Sequence, residues 1–208
     1  MSEKLTNAMA ELDEDLVFST VKELQESGTP ALEIIAALQK GMDIIGERFE
    51  AKDYFLSELI LSGDVFSSAV ALLGDSFSAD TPKLGTVVMG TVKDDIHNIG
   101  KDIVVSLLSC NGFKVVDVGI DAPAEKFIEA INRHNPQVIG MSCLLTSCFD
   151  SMKNIIEEID KAGLREGRKI LIGGGTITGT VSEYVKADAY TNSAQQAVPL
   201  CKKLMNIA

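Results

Sequence analysis

Asp95, His97 and Gly100 form the stretch with the clearest chemical potential in this 208-residue chain. His97 is one of only two histidines, and it sits in Gly90-Thr-Val-Lys-Asp-Asp-Ile-His-Asn-Ile-Gly100. The apolar run Leu84 to Met89 precedes this stretch, and a helical pattern from Ile99 to Leu108 follows it. That context predicts a strand-to-helix loop of an α/β domain, where ligands bind beyond the carboxyl ends of the strands. A phosphate cradle does not fit: Gly-x-Gly-x-x-Gly is absent, and Asp94 and Asp95 would repel a pyrophosphate. Zinc does not fit either, because it needs about three or four protein ligands. His134 belongs to another helical pattern, and none of Cys110, Cys143, Cys148 and Cys201 is spaced to join His97. A lone histidine can hold a metal that brings its own equatorial ring, as axial histidines do. Asp-x-His suits that task, since a carboxylate accepting from one ring nitrogen frees the other to ligate. The competing reading is a helix cap, in which Asp95 or Asn98 satisfies the helix start and His97 is merely exposed. Gly100 costs up to about 1 kcal/mol relative to Ala in a helix, which points to a group packing closely on the backbone there.

Two more segments fall at strand ends on the same rim. Ser142-Cys-Leu-Leu-Thr146 follows one apolar run and Gly173-Gly-Gly175 follows another. Each alone reads as a turn. Three consecutive glycines also leave a trough in which a flat, bulky group can approach the backbone. Their common rim with His97 favours one joint site.

The elements that must position these residues fall into two parts. Residues 1 to about 80 read as helices, with Leu16, Val17, Val21 and Leu24 recurring at helical spacing. Gly28 ends one helix, and Thr29 caps the next with Pro30 at its first position. That helix places Leu32, Ile35, Leu38, Met42, Ile45 and Phe49 on one face, and another runs from about Tyr54 to Phe77. With a short helix before Glu11, the prediction is an α-helical bundle of about four antiparallel helices. Ser78 to Lys83 has the composition of a linker. From residue 84 to 208, strands at 85–89, 115–118, 138–141, 170–172 and 187–191 alternate with helical patterns at 98–110, 123–134, 149–163, 176–186 and 193–206. This alternation predicts an α/β domain with a five-stranded parallel sheet of flavodoxin-like (Rossmann-like) order.

The net charge of -11 argues against nucleic acid and against anionic membrane surfaces as partners. No apolar run approaches the roughly 20 residues of a membrane span. The start, Met1-Ser-Glu-Lys-Leu-Thr-Asn, lacks the form of a signal peptide, so a cytoplasmic location with reduced thiols is expected.

Taken together, Asp95-Ile-His97-Asn-Ile-Gly100, Ser142-Cys-Leu144 and Gly173-Gly174 resemble the Asp-x-His-x-x-Gly, Ser-x-Leu and Gly-Gly signature of cobalamin-binding domains. Gly46-Glu-Arg-Phe-Glu-Ala-Lys-Asp-Tyr-Phe-Leu56 resembles the signature of the helical cap domain of methionine synthase and of the corrinoid proteins of methyl-transfer systems. The resemblance implies a corrinoid carrier rather than a complete enzyme. It would take a methyl group from a substrate-specific methyltransferase onto cobalt. A second methyltransferase would pass the group to tetrahydrofolate or coenzyme M, and a reductive activator would maintain the carrier. His97 would be the lower axial ligand to cobalt, with Asp95 orienting it and Asp94, Ile96, Asn98 and Gly100 around it. Ser142, Leu144 and Thr146 would line the pocket of the displaced nucleotide tail, with Gly173, Gly174 and Ala194 along its course. Phe49 and Leu56 would cover the upper face of the corrin. The hydroxyl that backs the aspartate in methionine synthase corresponds to Cys148 here, which implies either a shorter proton path behind Asp95 or one that uses Ser147 instead. Mutase subunits share the loop but lack the helical cap, and cobalamin-dependent sensors add a DNA-binding domain that the charge here does not suit.

Overall fold

The computed structural model describes residues 2–73 and 84–207. The chain divides into two compact units, Met1–Pro82 and Lys83–Ala208. The expected linker at 78–83 and the expected helix end at Phe77 lie outside the described residues.

The first unit holds α1 (Ser2–Ala10), α2 (Glu14–Glu26), α3 (Ala31–Glu50) and α4 (Leu56–Ala71). α2 starts where Asp13 Oδ1 accepts from Leu16 N, and its stripe Val17, Thr20, Val21 and Leu24 is buried at helical spacing. Gly28 ends the turn after α2 with φ +79°, a conformation glycine adopts without steric cost. Thr29 does not cap α3. Pro30 occupies the flanking position with no side-chain cap, and the Thr29 hydroxyl pairs with Ser27 Oγ at 3.1 Å. Because α3 opens at Ala31, Thr29 stands one residue before the capping position, out of register with the first free N–H groups. The buried stripe of α3 is Ile34, Ala37, Leu38, Met42 and Ile45; Leu32, expected on it, is 59% exposed. Two residues before Ile34 lies roughly the opposite side of a helix, so Leu32 falls off the stripe. Gly41 lets α1 cross α3 closely, since a Cβ there would meet Met9 Cβ at 2.5 Å. Among the described residues no helix is long and apolar enough to cross a membrane.

The second unit alternates β1 (Thr86–Thr91), α5 (Ile99–Cys110), β2 (Lys114–Asp117), α6 (Ala124–His134), β3 (Val138–Ser142), a 3₁₀ turn (Thr146–Cys148), α7 (Phe149–Lys161), β4 (Lys169–Gly173), α8 (Gly179–Val185), β5 (Ala189–Thr191) and α9 (Ala197–Leu204). All pairings are parallel, and the order is β2-β1-β3-β4-β5. Helices cover both faces, so β1, β3 and β4 read as continuous apolar runs rather than alternating ones. Val88, Phe127, Ile139, Met141, Met152, Ile155, Ile170 and Ile172 are core residues on one side of the sheet. The strand order reverses between β1 and β3. Register there aligns Thr91 with Ser142, so the His97 loop and the Ser142 segment leave the sheet side by side at the switch point.

Candidate functional site

Val92 N donates to Ser142 O at 3.1 Å, extending the β1–β3 ladder one rung into the loop. The chain then turns: Asp94 adopts φ +70° and Asp95 N donates back to Val92 O at 3.2 Å. A left-handed backbone at a non-glycine residue costs about 1 kcal/mol, and three contacts hold it. Asp94 N donates to Asp121 Oδ1 at 2.8 Å, Ser151 Oγ donates to Asp94 Oδ2 at 3.1 Å, and Lys93 Nζ lies 3.5 Å from Asp94 Oδ1.

This turn drives the Asp95 side chain inward. Its carboxylate is fully buried, whereas the His97 side chain is 47% exposed. Asp95 Oδ1 accepts from His97 N at 2.9 Å and stands 2.7 Å from His97 Nδ1. Asp95 Oδ2 accepts from Leu144 N at 2.6 Å and Leu145 N at 3.1 Å. Burial opposes the charged form, but the N–H groups of His97, Leu144 and Leu145 and the His97 ring outweigh it and hold the carboxyl at about 2. A carboxylate is an acceptor only, so Nδ1 carries the proton of this bond, and in the neutral ring the lone pair is on Nε2. The capping alternative fails at this point. Asp95 is committed to His97 and the 144–145 backbone, and Asn98 makes no side-chain cap but donates to Asp102 Oδ2 at 2.8 Å.

The loop that carries the ring and the segments bonded to that loop bear exposed apolar side chains. Ile96 is 67% exposed and Ile99 61% exposed, with Ile120, Leu144 and Leu145 also exposed. A Cβ added to Gly100 meets nothing within 4 Å, so no protein atom accounts for a glycine there. Gly174 has φ +143°, and a Cβ on it would meet Cys143 O at 1.9 Å. A Cβ on Gly173 would lie 3.2 Å from Thr191 O. The glycine trough thus has the Cys143 backbone on one side and the Thr191 strand end on the other. Ser142 closes β3, Thr146 opens the 3₁₀ turn in an exposed position, and Leu144 O accepts from Thr176 Oγ1 at 2.9 Å. Half-buried Ala194 follows β5 and its carbonyl accepts from Ala197 N at 3.2 Å. Phe49 and Leu56 are half-buried, near the end of α3 and at the start of α4 in the first unit.

Behind Asp95 neither Cys148 nor Ser147 takes the place of the backing hydroxyl. Cys148 Sγ lies 3.9 Å from Ser147 Oγ, and the four hydrogen bonds to the Asp95 carboxylate include neither residue. The thiol facing Asp95 is Cys143, which is buried and donates to Leu145 O at 3.2 Å. Burial, with the Asp95 charge adding to it, pushes this thiol up to about 12. Two further side chains that the sequence did not single out hold the loop and the helix that follows it. Asp121, after β2, ties down the backbone at Asp94. Lys101, almost fully buried on α5, pairs with Asp102 at 2.6 Å and with Asp117 at the end of β2. Burial disfavours its charge, yet the two carboxylates raise its pKa on balance. An isolated lysine four residues after the histidine offered no signal without the fold that brings Asp117 beside it.

Among the described residues, no group of three His, Cys, Asp or Glu side chains could hold a metal ion. The donor on offer is one oriented imidazole beside open apolar surface and a glycine trough. These features fit a metal carried in a flat macrocycle with a tail.

Comparison with known proteins agrees. Two family models, each described as a B12 binding domain, match residues 85–198 and 1–73. A trimethylamine corrinoid protein of Methanosarcina barkeri is 33% identical over 98% of this chain and 96% of its own length. A dimethylamine corrinoid protein of the same organism is 35% identical over 98% and 96%. Among solved structures, a cobalamin-binding protein from Desulfitobacterium hafniense superposes with a TM-score of 0.84 at 31% identity, covering 98% of each chain. A chain of the methanol:cobalamin methyltransferase complex of Methanosarcina barkeri gives a TM-score of 0.84 at 25% identity, covering 98% of this chain and 78% of that one. Read with the imidazole, the buried carboxylate and the trough, these matches place the chain in the family of cobalamin-binding corrinoid proteins.

Proposed function

We infer that this chain is a methyl-carrying corrinoid protein that holds cobalamin with His97 as the lower axial ligand and the nucleotide tail displaced along Gly173 and Gly174. The observation that carries the reading is the Asp95–His97 pair: Nδ1 is fixed on a buried carboxylate, and Nε2 is left on a half-exposed ring. Cobalamin, when bound, supplies a cobalt centre that can accept and release a methyl group.

The work of the protein is to fix one donor atom and to shape its surroundings. Asp95 selects the tautomer and the ring orientation, and its negative charge strengthens Nε2 as a donor. The Leu144 and Leu145 N–H groups hold Asp95 still, so the ring is set from the third strand as well as the first. Ile96, Ile99 and Leu144 offer apolar contact to a macrocycle, and the open backbone at Gly100 admits it. Ser142, Thr146 and Ala194 lie along the course of the tail, with the polar ends of Ser142 and Thr146 available to it. Asp94 contributes as the turn that sends Asp95 inward, and Asn98 as the residue that leads into α5. Phe49 and Leu56 are assigned to shielding the upper face. Relatives whose names specify trimethylamine and dimethylamine, and one structure of a methanol:cobalamin methyltransferase complex, support partners of the methyltransferase class. One methyltransferase would load the carrier and a second would unload it to tetrahydrofolate or coenzyme M, with a reductive activator restoring oxidised carrier.

The test is spectroscopic. Purified protein is loaded with hydroxocobalamin, desalted and compared with the His97→Ala variant. The expected result is retained cofactor with a histidine-ligated spectrum in the parent and loss of that ligation in the variant. Identical spectra would remove His97 as ligand, and a parent that retains no cobalamin would remove the carrier assignment.

A further inference from the structure

We propose that Asp121 is a positioning residue for His97: it presets the backbone of the three residues from Lys93 to Asp95 and thereby the placement of the imidazole. The proposal rests on the assignment of His97 as the cobalt ligand. Asp121 stands in the loop after β2, on the opposite side of the His97 loop from the Ser142 segment. A single oxygen, Asp121 Oδ1, accepts from Asp94 N at 2.8 Å and from Lys93 Nζ at 2.8 Å. The backbone N of Asp121 donates to Asp95 O at 2.9 Å. One residue therefore bonds to Lys93, Asp94 and Asp95 in turn, just before Ile96 and His97. The bridge between Val92 and Ala122 continues the same seam by one residue on each side.

The geometry asks for such an anchor. Asp94 at φ +70° and Asp121 at φ +47° are both left-handed without being glycine. Left to itself, Asp94 relaxes toward negative φ, which rotates the peptide that carries Asp95. Asp95 then loses its aim at Leu144 N and Leu145 N, and His97 Nδ1 loses its acceptor. Lys93 balances the Asp121 carboxylate in a rim that also holds Asp94 and Asp95, so the anchor does not add an uncompensated negative charge. Asp121 is partly exposed, and its bonds in the loop run to Lys93, Asp94 and Asp95. Its effect on the ring passes through the backbone.

Two substitutions separate geometry from charge, and Asp121→Ala removes both. Asp121→Asn keeps an oxygen for Asp94 N and loses the ion pair. Asp121→Glu keeps the charge for Lys93 and carries the carboxylate one methylene too far. The full chain is studied in two states. Without cofactor, proton NMR follows the downfield Nδ1–H signal of His97 bonded to Asp95. After loading with hydroxocobalamin, the visible spectrum gives the ratio of histidine-ligated to unligated cofactor. The expected result is a fall of about tenfold in that ratio for Asp121→Ala and Asp121→Glu, with the Nδ1–H signal broadened or lost. Asp121→Asn stays near the parent in both. If Asp121→Ala does not fold, the partly exposed Glu variant carries the test. A parent-like signal and a parent-like ratio in the Glu variant, or in an Ala variant that only melts earlier, would overturn the proposal. If the parent itself binds no cobalamin, the His97 assignment fails, and the NMR arm alone decides whether Asp121 sets the ring.

Discussion

Asp95 Oδ1 lies 2.7 Å from His97 Nδ1 while Oδ2 of the same carboxylate accepts from Leu144 N and Leu145 N. Both oxygens therefore face donors, and neither face of the group can be a donor itself. Asp95→Asn is for that reason not a conservative change. Whichever way the carboxamide turns, its NH₂ meets an N–H from His97 or from the 144–145 backbone. The expected cost is about 2 kcal/mol of folding stability, the penalty of leaving buried donors unpaired. Urea unfolding of the cofactor-free chain measures it. A variant as stable as the parent would mean that the backbone donors find other acceptors.

The same carboxylate makes stability depend on pH. In the folded chain Asp95 titrates at about 2, below its ordinary 3.8. The unfolded chain thus takes up this proton more readily, and the stabilisation is complete above about pH 4. It disappears as pH falls through about 2, and its full size is about 2 kcal/mol. Urea midpoints of parent and Asp95→Asn, compared from pH 6 downward, should converge across that window. A constant gap between them would show that Asp95 does not supply the acid sensitivity.

How much of this was legible beforehand depends on where each signal lay. The second unit was readable because a parallel sheet covered on both faces leaves uninterrupted apolar runs, such as Val87 to Met89 and Ile170 to Ile172. Pairing of the strands also set His97, Ser142 and Gly173 on one rim. The helix start at Pro30 was misplaced by one residue, because Thr29 and Pro30 are each plausible at adjacent flanking positions. The choice between a helix cap and a partner of the His97 ring for Asp95 could not be made from local sequence. It turns on the N–H groups of Leu144 and Leu145, and backbone donors carry no side-chain signature. Asp121 was hidden for a related reason, since its partner is the amide of a residue in another loop.

Gly174 and Gly100 are glycines for opposite reasons, and substitution separates them. Gly174→Ala drives a Cβ to 1.9 Å from Cys143 O at φ +143°. Both the clash and the dihedral oppose it, so about 3 kcal/mol of stability should be lost before any cofactor is added. Thermal melting of the cofactor-free chain checks this. A normal melting temperature would mean that the trough is softer than its backbone contacts imply.

Gly100→Ala should act on the loaded state instead. The residue lies in the first turn of α5, its φ is not positive, and nothing stands within 4 Å of the added methyl. Alanine is the better helix former and restricts the unfolded chain, so the cofactor-free protein should gain roughly 0.5 kcal/mol. The methyl would then stand where the macrocycle is proposed to lie against the backbone, and hydroxocobalamin should bind more weakly. Retention on desalting and equilibrium titration with hydroxocobalamin give the affinity, and urea unfolding gives the stability. A variant that is both more stable and unchanged in affinity would mean that the corrin does not approach this backbone.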